Sequence, residues 1–85
     1  MMTSNSRRVI RLYDTTTHGG EVIQVTSEQT VSGRRIACVG DLVRCPKCDG
    51  VYPIVEGDPQ CTIRGIPVAF EGHRTACGAL LVGSD

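Results

Sequence analysis

RRVIRLYDTTTH (7–18) and RRIACVGDLVRC (34–45) align without a gap, and IPVAFEGHRTAC (66–77) follows in the same register. Two columns stand out. Asp14, Asp41 and His73 share one, and His18, Cys45 and Cys77 share the next, four residues on. The second and third copies also share their approach, Thr30-Val31-Ser32-Gly33 against Thr62-Ile63-Arg64-Gly65, with Ile23 matching Val55. Each copy is therefore a hairpin plus a loop that delivers a His or Cys. A unit this small cannot bury its own apolar face, so the copies must pack on one another. Three of them closing around a common axis leave no raw end, whereas a linear stack leaves two.

Within the copies the chain reads as short strands separated by turn signals. Val9–Tyr13, Glu21–Val25, Arg35–Val39, Val51–Val55, Cys61–Ile63, Pro67–Phe70 and Ala79–Val82 alternate with turns at Gly19-Gly20, Ser32-Gly33, Gly40-Asp41, Gly57-Asp58-Pro59, Gly65 and Gly72. Ten Gly and four Pro leave no window of about eleven residues with a helical stripe. The expected fold is all-β: a small pseudo-threefold arrangement of hairpins, with at most one helical turn near the C-terminus. Residues 1–6 are small and polar and are expected to be disordered, ahead of a single domain over 7–85.

Size limits what a core can do here. The chain has 85 residues, three aromatics and no Trp. Below roughly 70–80 residues a hydrophobic core alone seldom supplies more than about 3–5 kcal/mol, so a metal, a disulfide or a partner is expected to assist. No run reaches the roughly 18–20 apolar residues of a membrane span, and the N-terminal MMTSNSRR has no apolar stretch of a secretory signal. In the reducing cytoplasm implied, five Cys and two His point to metal rather than disulfides. Nine basic residues balance nine acidic ones. Nucleic-acid binding, driven by phosphate neutralisation, is disfavoured by that balance.

Cys45-Pro46-Lys47-Cys48 has the spacing of a zinc knuckle. His73 and Cys77 form a second pair four apart, and His18 is the first copy's contribution. Five candidates compete for the four positions of a structural zinc, and thiolate with imidazole favours zinc over calcium or magnesium. Cys38 and Cys61 lie in strands outside the ligand column and are read as small buried apolar residues. Asp14 and Asp41 sit in turns, where an Asx bond to backbone is the default role. No catalytic constellation emerges, so an enzyme is not expected. A zinc-ribbon-like nucleic-acid module is the alternative reading of the knuckle.

The spaced motifs Asp14-Thr15-Thr16-Thr17-His18-Gly19-Gly20, Gly33 to Cys48, and Pro67 to Gly78 resemble the PAAR-repeat family over about residues 7 to 83. Its name-giving tetrapeptide is degenerate, as Arg35-Ile36-Ala37-Cys38 and Pro67-Val68-Ala69-Phe70. The resemblance implies a pointed β-cone with a zinc near its apex, seated on the trimeric VgrG spike of a bacterial type VI secretion system. It implies a mechanical role, sharpening the spike for membrane piercing, and His18, Cys48, His73 and Cys77 as ligands with Cys45 in reserve. It further implies a monomer when free, cytoplasmic before firing and then exported with the spike, touching the target membrane transiently. With so little chain outside the cone, no fused toxin is expected, and any effector would ride non-covalently.

Overall fold

The computed structural model describes residues 8–83, so the expected disordered stretch 1–6 lies outside the described residues. Among the described residues there is no helix, and the fold is all-β. Nine short strands make one five-stranded antiparallel sheet and two hairpins. The sheet runs in the order β6 (Gly50–Pro53), β5 (Leu42–Cys45), β2 (Glu21–Gln24), β1 (Thr15–Thr16), β9 (Leu81–Val82). β3 (Thr30–Val31) pairs with β4 (Arg34–Arg35), and β7 (Asp58–Ile63) with β8 (Ile66–Val68).

What closes the three copies is a ring of backbone hydrogen bonds at equivalent positions. Ile10 N–H donates to Ala69 O (2.9 Å), Ala69 N–H to Ala37 O (3.0 Å), and Ala37 N–H to Ile10 O (2.8 Å). All three residues are fully buried. A second ring runs alongside: Leu12 to Arg35 O, Val39 to Pro67 O, and Glu71 to Arg8 O, at 2.8, 3.0 and 2.8 Å. Each copy donates to one neighbour and accepts from the other, which only a closed arrangement permits.

The expected strands 9–13 and 35–39 are accordingly not continuous ladder strands; of their residues Arg35 alone joins a ladder, at the end of β4. They make single bridges, Val9 with Phe70, Arg11 with Ile36, and Cys38 with Val68, because each segment passes from one neighbour to the next around the axis. The strand expected at 67–70 contributes only its beginning to β8 for the same reason. The axis itself is narrow, which is why two of the three ring residues are Ala. Val22, Val43, Ile54 and Leu81 extend the core away from the ring, with Val25 and partly buried Leu12 beside it.

A second shared device follows each ring segment. Asp14, Asp41 and His73 N–H groups donate back to Arg11, Cys38 and Phe70 carbonyls at 3.0, 3.1 and 3.1 Å, closing one tight turn per copy. The preceding residue is left-handed in all three: Tyr13 at φ 74°, Gly40 at 95° and Gly72 at 92°. Glycine takes that conformation without steric cost; Tyr13, 59% exposed, carries the strain of a side chain there.

The two hairpins turn through Ser32-Gly33 (φ 54° and 83°) and Arg64-Gly65 (φ 55° and 79°). Both central residues are left-handed, as a two-residue type I′ hairpin requires. The Cys pair expected to be buried divides: Cys38 is buried, but Cys61 is exposed on β7. β7 bulges between Asp58 and Thr62, opposite the Pro67–Val68 segment, and Cys61 falls in that bulge.

Gly20 is the tightest point between copies, since a Cβ there would overlap the carbonyl oxygen of Arg44. Gly20→Ala should therefore cost about 1–3 kcal/mol. The check is a denaturant melt, with Thr15→Ala, at a neighbouring exposed position, as the control for local substitution.

Candidate metal centre

The two columns of the repeat have separate fates. At the first, each side chain caps its own turn. Asp14 Oδ2 accepts from Arg11 N–H at 2.7 Å, Asp41 Oδ2 from Cys38 N–H at 2.8 Å, and His73 Nδ1 from Phe70 N–H at 2.9 Å. The free oxygens reach further: Asp14 Oδ1 pairs with Arg34, and Asp41 Oδ1 accepts from Thr26 N–H and Oγ1–H at 3.3 and 3.2 Å. His73 does with a ring nitrogen what the aspartates do with a carboxylate.

At the second column the side chains converge. His18 Nδ1 lies 3.4 Å from Cys45 Sγ, 3.8 Å from Cys48 Sγ and 3.9 Å from Cys77 Sγ. All four ligand atoms fall within 4.8 Å of one another. With Zn–S near 2.3 Å and Zn–N near 2.0–2.1 Å, the edges of a tetrahedron come to about 3.5–3.8 Å, close to what these atoms span. The group can hold a metal ion. Four of the five candidates are thus brought together, and His73 is not among them.

The fourth ligand atom, the Cys48 sulfur, does not come from the repeat. Between the ligand position and the residue whose carbonyl closes the turn, the first and third copies spend one residue, Gly19 and Gly78, the turns being closed by Thr16 N–H to Gly20 O (3.1 Å) and Thr75 N–H to Ala79 O (2.9 Å). The middle copy inserts five more residues in its place, and this longer loop carries Cys48. β5 and β6 hold its ends, pairing Cys45 with Gly50. Tyr52 O–H donates to Cys48 O at 3.0 Å and fixes the loop. Burial and the three surrounding thiols push the Tyr52 hydroxyl up, which keeps it a donor.

The outer groups that orient these ligands include two threonines in one further column. Thr16 Oγ1 accepts from His18 N–H and Gly20 N–H at 3.2 and 3.1 Å. Thr75 Oγ1 lies 3.1 Å from Cys77 Sγ. The spacing Thr-x-His at 16–18 and Thr-x-Cys at 75–77 marks them in the sequence, although the sequence reading passed over them.

The thiols are unequal. Burial works against the Cys77 thiolate, but hydrogen bonds from Thr75, Ala79 N–H, Cys45 and His18 outweigh it and lower the thiol to about 6. The hydrogen bond with Cys45, then burial and the contact with Cys77, push Cys48 up to about 11. All five thiols are free.

The class this defines is a small all-β body whose three copies meet at a His/Cys cluster able to hold a metal ion. The model of the PAAR motif matches residues 12–83, nearly the whole chain, and the protein belongs to that family. It is the spike-tip family of type VI secretion, structural rather than enzymatic in character, which makes this a spike-associated protein. No curated protein matches the chain significantly. No helix of the described residues is long and apolar enough to cross a membrane.

Two tests follow from this geometry. His73→Ala should lose about 1 kcal/mol with its turn cap yet keep full metal stoichiometry, and His73→Asp should recover the stability. Cys45→Ser should weaken or abolish metal binding. Elemental analysis of the purified variants, beside their melting curves, reads both.

In metal-free protein the lowered Cys77 favours the fold increasingly as pH rises from about 6 toward the ordinary thiol value of 9.0. The raised Cys48 favours it below 9.0 and loses that contribution as pH climbs through about 11. Stability of the metal-free form should peak near the value where the two trends cross, measured as Tm against pH in chelator. At neutral pH, Cys77 should alkylate first and Cys48 slowly, read by peptide mass.

Proposed function

We propose that the protein caps the trimeric VgrG spike of a type VI secretion system, with a structural zinc at the vertex and the hairpin end on the spike. The closed backbone ring of Ile10, Ala37 and Ala69 is the observation that carries this reading. It gives a single chain three equivalent sides, which one copy needs in order to meet three identical subunits.

The chain path separates the two ends. β2 leaves the ligand vertex and leads to the β3–β4 hairpin, and β6 likewise leads to β7–β8. At the hairpin end lies a mainly apolar depression of about 580 Å³, where Val9, Ile36 and Val68, equivalent in the three copies, meet Val31, Ile63 and Phe70. Short strands with unpaired edges and apolar side chains between them are what a spike's exposed strand ends can continue. A monomer with this end uncovered would seat on the trimer as one copy.

At the vertex, His18, Cys45, Cys48 and Cys77 hold the ion. Thiolate with imidazole favours zinc. Structural zinc contributes about 10–16 kcal/mol of apparent binding free energy in small domains, so it stiffens the vertex where the three copies meet. That stiffness suits a tip that strikes a membrane first. An effector would travel on the assembled spike, and the protein would leave the cell with it.

Chelation should remove one zinc per chain and lower Tm by tens of degrees, as calorimetry would show. Val31→Asp and Ile63→Asp at the hairpin end should leave zinc content and Tm nearly unchanged while abolishing co-purification with the cognate spike. A complex holding three caps per spike trimer, or binding untouched by both substitutions, would sink the capping role.

A further inference from the structure

The metal centre holds three sulfurs where a disulfide needs two, and their accessibility differs. Cys45 is fully buried, and its sulfur is the one nearest His18 Nδ1, at 3.4 Å. Cys48 and Cys77 are half-buried and border solvent. Cys48 Sγ also reaches the Cys77 carbonyl, at 3.9 Å, so these two residues already touch across the boundary between the middle and third copies. Cys45 and Cys48 lie within one loop, and joining them would tie no copy to another.

The geometry points to Cys48 and Cys77 as a latent disulfide site that closes the vertex when the ion is absent, replacing one clamp by another. Resting on the reading of the cluster as a metal centre, it extends that reading to the oxidising surroundings an exported protein meets. While an ion is bound the sulfurs are its ligands and are withheld from exchange. Once it leaves, Thr75 O–H, 3.1 Å from Cys77 Sγ, favours the thiolate at Cys77.

The oxidant is a small-molecule disulfide. The Cys77 thiolate attacks one of its sulfurs, forming a mixed disulfide and releasing one thiolate. The Cys48 thiol gives up its proton to solvent, and its sulfur attacks the Cys77 sulfur of the mixed disulfide, expelling the second thiolate. Two protein thiols are oxidised, one disulfide reagent is reduced to two thiols, and the protons balance. The bond formed spans residues 48–77 and so restricts the unfolded chain across a whole copy.

The test compares full-length protein, zinc-loaded and chelator-stripped, in oxidised glutathione at pH 8. Cys38→Ser/Cys61→Ser serves as background, so that only the cluster thiols remain. Non-reducing peptide mapping should find Cys48 joined to Cys77 within one chain in the stripped protein, at least tenfold faster than in the loaded one. The oxidised, metal-free protein should melt several degrees above its reduced counterpart.

A map dominated by Cys45–Cys48, by glutathione adducts or by intermolecular links would overturn the proposal. So would equal rates with zinc demonstrably bound, or a linked protein no more stable than the reduced one. Elemental analysis keeps the two readings apart: a chain that takes up no zinc refutes the metal centre, and the Cys48–Cys77 bond is then judged on the map alone. Cys45→Ser must still form it, whereas Cys77→Ser must not.

Discussion

Three backbone hydrogen bonds, each from one copy to the next around Ile10, Ala37 and Ala69, are the constraint from which the rest of this structure follows. A closed ring fixes where each copy begins its tight turn and hence the height at which His18, Cys45 and Cys77 arrive. It also explains the small side chains at the centre. Where three backbones approach close enough to bond in a circle, there is room for one Ile and two Ala but not for three large residues. The core is thin for a topological reason, so a metal held at the vertex would supply a constraint that so small a core lacks.

The repeat register made much of this legible. Alignment of 7–18, 34–45 and 66–77 fixes the number of copies, their closure and the convergence of one column on a common point. It carried more than was taken from it. Asp14 and Asp41 are turn-capping residues by type, and His73 stands in their column; the same register that gathers His18, Cys45 and Cys77 gives His73 the turn-capping bond to Phe70 N–H. Family resemblance pulled the other way, toward a second histidine ligand. Within a single chain, column membership is the closer physical constraint, because equivalent positions share backbone geometry whatever residue occupies them.

Other features had no signal in the sequence. Val9–Tyr13 and Arg35–Val39 have strand composition, yet each is divided between two neighbours and forms bridges instead of a continuous ladder. Local pattern reports that a segment is extended and half-buried, not whom it pairs with. Cys61 looked like an apolar strand residue, but a bulge in β7 decides its exposure, and bulges follow from hairpin register rather than composition. Tyr13 shows the reverse. Its left-handed backbone is imposed by the ring, and Gly at the two equivalent positions is the only clue that a residue there is strained.

Threefold symmetry and tetrahedral coordination are incompatible in number, and the molecule resolves this locally. Three equivalent loops bring His18, Cys45 and Cys77 together, and a four-coordinate site would need a further ligand that threefold repetition does not supply. A five-residue insertion in one copy does so, placing Cys48 beside Cys77 and pinning its loop through Tyr52. Symmetry is thus broken at the vertex, where the four ligand atoms cluster, and retained at the ring of backbone hydrogen bonds. The insertion sits in the middle copy, whose ligand loop is held on both sides by β5 and β6. Of the three loops it is the one anchored by a full four-residue pairing, and so the one best able to carry extra chain without loosening the closure below it.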